Sequence, residues 1–297
     1  MKKSRVKISR ATWSWELVGW LIGVVVISIF FYALTFQHSA ADREAADHVG
    51  SFVAGYLGSI IALANAFLLF RTLRTQREAL DRQSFETKFF FLLEIHRQNV
   101  RDLQVGGNST NEFFTVVVDR ARKIAEIIAD RGWENPYAAA FDYLFYGHEA
   151  WALQPERALR RLESESGRRT EMEHLLADLR REGLYQPGLE YQLGHYYRHF
   201  YQAVCYADQQ QFDQQTKYAY VKTLRAQLSN HEQAVLLLDS LILVGRDWGI
   251  REPRNQSLIK RYHLVSNLPE DFFPKKQLDV KALFRDCPDY FEWEQTG

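Results

Sequence analysis

Cysteine is scarce: only Cys205 and Cys287 occur, far apart and without the close spacing of a metal site. A disulfide framework is therefore excluded, and both thiols suit a reducing compartment. Neither sign of charge is in excess, because 37 Lys and Arg balance 37 Asp and Glu. A nonspecific nucleic-acid binder needs a basic surface, so that class is set aside, and no direct sequence-specific binding of nucleic acid is expected. The common catalytic signatures are also missing. There is no GxxxxGK(S/T) phosphate loop, no Rossmann glycine fingerprint, no serine nucleophile elbow and no CxxC pair. No cofactor and no metal is expected.

Long uncharged runs are present instead. Leu17–Phe36 reads LVGWLIGVVVISIFFYALTF, and Val49–Phe70 reads VGSFVAGYLGSIIALANAFLLF. As helices they would reach roughly 30 and 33 Å, enough for a hydrocarbon core of about 30 Å. Lys2, Lys3, Arg5, Lys7 and Arg10 precede the first run against Glu16 alone. The connecting loop, residues 37–48, carries Asp42, Glu44 and Asp47 against Arg43, and Arg71, Arg74, Arg77 and Arg82 follow the second run. Positive charge stays on the cytoplasmic side. The expectation is a multi-pass inner-membrane hairpin with residues 1–16 and the C-terminal region cytoplasmic and 37–48 as a short periplasmic loop. Trp13, Trp15 and Trp20 fall where an interfacial belt would lie. The competing reading, a signal peptide cleaved near Ser39-Ala40-Ala41, requires an apolar core shorter than this one.

The second run carries two stripes of small residues. Gly50, Ala54, Gly58, Ala62 and Ala66 recur every four positions, and Ser51, Gly55, Gly58, Ala62 and Asn65 alternate steps of four and three. Small residues let helix backbones approach closely in lipid. Asn65 is the only amide in either run, and an amide is costly against lipid, so it should face another helix or a wet interior. Two uses are open: packing on the first run through Gly19 and Gly23, or an assembly face between protomers.

The remainder reads as helix throughout. Residues 71–297 carry a net charge of −2. From Arg71 to Leu103 neither Gly nor Pro interrupts, so 71–103 is expected to continue the second span as a stalk, ending at Gly106-Gly107-Asn108. Residues 104–297 form the cytoplasmic helical domain. Its helices are expected near Glu112–Asp130, with Phe113, Val117, Ile124 and Ile128 on one face, then Tyr137–Trp151, then one opening on Pro155. Residues 156–183 interleave Arg and Glu as a solvated face with local pairs. Tyr185-Gln186-Pro187-Gly188 makes a turn. In the aromatic stretch that follows, Tyr197, Phe200, Val204 and Ala207 share one face, widened by Leu193, Tyr196 and Tyr201. Ser229 should cap a helix with Glu232 as its reciprocal partner. Leu236–Leu238 and Leu241–Leu243 read as a buried core helix.

Two residue pairs could carry chemistry. His195 and His199 sit one turn apart, as zinc-binding imidazoles can, yet no third ligand or carboxylate completes a metalloprotease helix. Arg198 and His199 are instead expected to hydrogen-bond between helices. Arg225 and His231 have the spacing used by all-helical HEPN ribonucleases, where Arg would stabilise phosphate charge and His would handle the proton. The helix cap at Ser229 explains the same corner without catalysis, and the chain is expected not to be an enzyme.

Four segments carry a resemblance: FFFLLEIHRQNVRDL (89–103), GHYYRHFYQAVCYAD (194–208), YVKTLRAQLSNHE (220–232) and IKRYHLVSNLP (259–269). They resemble bacterial phage abortive-infection proteins of the AbiC type over most of residues 85–270, preceded by the two spans. The motif positions are His96, Asn99, Gly194, His195, Tyr196, Arg198, His199, Tyr201, Arg225, Gln227, Ser229 and Glu232. The resemblance implies an antiphage effector and names no catalytic residue. Some similar two-span proteins lie beside retron reverse transcriptases, so a retron reverse transcriptase–RNA/DNA complex, or another inhibitor, is an expected partner alongside membrane lipids and further copies of the chain. The resulting expectation is an all-α effector that assembles in the inner membrane and permeabilises it. The alternatives are a membrane-anchored ribonuclease toxin and a non-catalytic sensor or scaffold.

Overall fold

The computed structural model describes residues 19, 22–23, 25–30, 40–103, 110–163 and 168–295. Among the described residues every regular element is helical and no strand occurs. Two compact units are present, Met1–Gln83 and Ser84–Gly297.

The first helix, α1 (Ala40–Asp102), is unbroken over 63 residues, a length of about 95 Å at the usual rise. Its start corrects the sequence reading, because the segment 37–48 taken for a loop is helical from Ala40 onward. The stretch AADREAADHV contains four alanines, the strongest helix former, and nothing that breaks a helix. Of the earlier run 17–36, residues 19, 22–23 and 25–30 are described and helical; Trp13, Trp15 and Trp20 lie outside the described residues. Among the described residues one helix is long and apolar enough to cross a membrane, Gly50–Arg101, and its apolar window is entirely unburied within the chain.

The second unit begins inside the expected stalk. Phe85, Phe89, Leu93 and His96 are buried, so the far part of 71–103 belongs to the helical domain. The expected breaker at Gly106-Gly107-Asn108 lies outside the described residues. There follow α2 (Thr110–Ala129), α3 (Pro136–Tyr146), α4 (His148–Leu153), α5 (Pro155–Arg161), α6 (Arg169–Arg181), α7 (Glu190–Asp208), α8 (Gln214–Arg225) and α9 (Asn230–Leu241). Short elements close the chain: a 3-10 turn at Val244–Trp248, α10 (Leu258–Arg261), α11 (Val280–Leu283) and a 3-10 turn at Glu292–Gln295.

Helix α9 lies at the centre, packed on α2 and α3, with Glu232–Ser240 continuously buried. The apolar face of α2 enters the core as its periodicity requires, since Phe113, Val117, Ile124 and Ile128 are all buried. Leu236–Leu238 are buried too, but Leu243 is 42% exposed because α9 ends at Leu241 and the chain leaves the core there.

The helix expected over 137–151 is split at Gly147. Its φ is +89°, and an added Cβ would stand 2.5 Å from the Pro187 carbonyl oxygen. Only glycine permits that backbone and that approach. The strand of chain at Gln186–Leu189 is thereby clamped to the end of α3, with His148 N–H donating to Gln186 O at 2.7 Å and Leu189 N–H to Leu144 O at 3.0 Å. Beneath it the buried Asp142 accepts from Arg161 Nε (2.8 Å) and Trp151 Nε1 (2.8 Å). Burial raises the Asp142 pKa, and Arg161 opposes the rise.

Candidate functional site

The end of α1 lies on α7 and α8 through aromatic layers. Phe85 meets Tyr206 (5.2 Å between ring centres), Phe212 (5.0 Å) and Tyr220 (4.8 Å). Phe89 meets Tyr220 at 5.3 Å. Two polar links flank these layers. Tyr220 Oη donates to Glu86 Oε1 at 2.6 Å, and Arg97 donates twice to Gln227 Oε1 at 3.0 Å.

His96 stands between the links. It is fully buried, with ring centres 4.9 Å from Tyr196 and 5.1 Å from Phe200. Among the described residues neither of its nitrogens has a hydrogen-bond partner, nor has Asn99 Nδ2, one helical turn on. Burial lowers the His96 pKa to about 4, with the neighbouring His199 and the Arg97 guanidinium adding to the effect. The imidazole is therefore neutral at pH 7.

The next layer is fully paired. Tyr196 Oη donates to Glu232 Oε1 at 2.8 Å, and Tyr197 Oη donates to the Glu232 carbonyl oxygen at 3.2 Å. Glu232 Oε2 accepts from Ser229 N–H at 2.7 Å, and Ser229 Oγ accepts from Glu232 N–H at 3.3 Å. This is the reciprocal cap read from the sequence, and it starts the central helix. Burial, then Glu232, holds the Tyr196 hydroxyl well above its ordinary pKa, so it stays a donor.

Motif residues from three separate segments thus converge: His96 and Asn99 from α1, Tyr196 from α7, and Gln227, Ser229 and Glu232 at the α8–α9 corner. Others fall elsewhere. His195 and Arg198 are exposed, with the His195 ring edge-on to Tyr191 at 5.2 Å. Gly194, His199 and Tyr201 are half-buried, and Tyr201 sets its ring against Trp248 at 5.0 Å. The expected hydrogen bonds from Arg198 and His199 between helices are not made among the described residues, because Arg198 faces solvent. Arg225 Nη1 donates to His263 O at 3.0 Å and Nη2 pairs with Glu292 at 3.5 Å, whereas His231 rests on the Phe272 ring at 5.4 Å. Glycine and small residues of the apolar stretch, Gly50, Ser51, Ala54, Gly55, Gly58, Ala62, Asn65 and Ala66, are all exposed on α1.

Sequence reasoning missed Phe85 and Arg97 as parts of the seam. The spacing Phe85, Phe89, Leu93, His96 is a helical stripe and could have marked residues 84–102 as docked. A cavity of about 290 Å³ lies elsewhere, lined in part by Trp133, Asn135, Arg161 and Arg251. Two of its cations are already matched, Arg161 by Asp142 and Arg251 by Glu163. Among the described residues no group of three His, Cys, Asp or Glu is placed to hold a metal.

Residues 188–273 match the model of a family described as putative phage abortive infection protein. The match runs from the turn before α7 through α9 and α10, and it supports the AbiC-type resemblance; it covers less than half of the chain and carries no link to retrons. No curated protein and no solved structure matches the chain.

Proposed function

We propose that this chain is an abortive-infection effector of the inner membrane, anchored by a hairpin of residues 17–36 and 49–70 with both termini in the cytoplasm. On a phage-induced signal, the small-residue face assembles with other copies and permeabilises the bilayer. One hairpin cannot enclose water, so assembly is part of the proposal. The observation that carries it is the continuity of α1: a single helix holds both an apolar stretch left unburied among the described residues and a segment packed on helices of the family-matched region. The absence of contacts around Gly58, where an added Cβ meets nothing within 4 Å, favours a face free for association. We read the chain as non-catalytic, because Arg225 is already engaged by His263 and Glu292. The restraining partner, a retron complex or another inhibitor, is part of the same proposal.

The test is membrane-potential dye and propidium entry after induction or infection, with protein level and localisation followed in parallel. Depolarisation that accompanies killing, and is lost in Gly58→Leu or Ala62→Leu protein that still inserts, is the expected result. Killing with the potential intact overturns the membrane mechanism. Loss of killing together with loss of RNA cleavage in well-folded Arg225→Ala and His231→Ala protein would turn the reading to a ribonuclease.

A further inference from the structure

A histidine with no partner for either nitrogen is an unusual thing to bury at a helix–helix contact, because polar groups taken from water are normally paired. His96 is so buried, and the seam around it is held by rings and by two exposed-side links rather than by bonds to His96 itself. We propose that this seam is an acid-sensitive latch, in which protonation of His96 releases residues 85–102 of α1 from α7 and α8.

The surroundings make the charged form untenable. An imidazolium carries two N–H donors, and here neither meets an acceptor. Among the described residues no acceptor is within hydrogen-bonding reach of either nitrogen. From α7 come Tyr196, Phe200 and the cation-capable His199; from α2, Phe114 packs on Tyr196 at 5.1 Å. From α1 itself comes Arg97, committed to Gln227, with Glu94 turned to Arg101 at 3.2 Å. The nearest carboxylate in the network, Glu232 of α9, is occupied by Tyr196 Oη and Ser229 N–H. A proton on His96 therefore stands beside the Arg97 guanidinium and, among the described residues, meets no hydrogen-bond acceptor. Undocking exposes the ring to water and removes the conflict.

The sign follows from linkage. The docked pKa of about 4 lies below the ordinary 6.5, so the undocked state binds the proton more tightly. Docking is fully favoured above pH 6.5 and weakens as pH falls toward 4. Between pH 7.0 and 5.5 the undocked fraction should rise about eightfold. The latch depends on the packing of 85–102 within its own unit and not on the membrane reading.

Hydrogen exchange on the full chain in detergent micelles tests it, with intrinsic rates corrected for pH. Residues 85–102 should lose protection about eightfold between pH 7.0 and 5.5, and His96→Leu should abolish that dependence while keeping protection at pH 7.0. His199→Gln, which removes the neighbouring imidazole, should keep the acid response. Histidine Cε1 resonances of the wild-type protein give a reading that needs no variant: His96 should stay neutral at pH 5.5 as long as α1 is docked. An acid loss of protection that persists in His96→Leu, or a His96 resonance that titrates near 6.5 with α1 still protected, overturns the proposal.

Discussion

Residues 40–83 and 84–295 bury side chains in opposite ways. In the first stretch α1 shows Leu63 at 72% and Phe67 at 57% exposure, beside a face of Gly, Ala and Ser. In the second, rings are stacked against one another, and Trp151, Tyr143 and Phe113 have no accessible surface. Large aromatic side chains gain from leaving water, so they build a core in a water-soluble region. Small side chains gain little from that transfer and suit helices held by close backbone contact in lipid.

The largest effect should separate the two regions cleanly. Phe113→Ala removes a fully buried ring from α2 and should cost the second unit about 3–5 kcal/mol, read by urea unfolding of the full chain in micelles. An equal loss for Phe67→Ala would break the comparison, since that ring is 57% exposed.

A pH effect of roughly 3–4 kcal/mol should also belong to the second unit alone. Burial lifts Asp239 from 3.8 to about 7, with Trp248 Nε1 donating to its Oδ2 at 3.1 Å. The folded state thus holds this proton more tightly than the unfolded one. The stability it contributes is complete below pH 4 and is lost as pH rises through 7. Asp239→Asn keeps an acceptor for Trp248 and should flatten the unfolding midpoint between pH 5 and 8; an unchanged slope would place the titration elsewhere. The response runs opposite to that of His96, which loses stability on the acid side.

Asn65→Leu sharpens the other half. A polar helix–helix contact in lipid is worth about 0.6–2 kcal/mol, so self-association followed by energy transfer in micelles should weaken by that amount. Unfolding of the second unit should not move. Ser229→Ala should cost about 1 kcal/mol through the lost cap of α9, visible as a lower urea midpoint. The smallest effect is Leu63→Ala, which should change that midpoint by less than about 0.5 kcal/mol.

Much of this was legible in the sequence because it depends on neighbours along the chain. The α2 face, the start of α5 at Pro155 and the reciprocal cap at Ser229 and Glu232 are local patterns, and local hydrogen bonds satisfy them. The break at Gly147 was not legible. Nothing in FYGHEAW marks it, and its cause is the Pro187 carbonyl, forty residues away. The seam was half legible: the motif positions were named, while their meeting was not.

The sequence by itself determined the all-helical class, the apolar runs, the small-residue stripes and the residues of the family-like motifs, since periodicity and composition act within one helix. Only the tertiary structure decided that the stalk is divided at Ser84, that Arg225 and His231 serve different partners, and that His96 is buried with no hydrogen-bond partner among the described residues. Burial and pairing depend on what other segments bring to the same place, and a one-dimensional pattern does not contain that information.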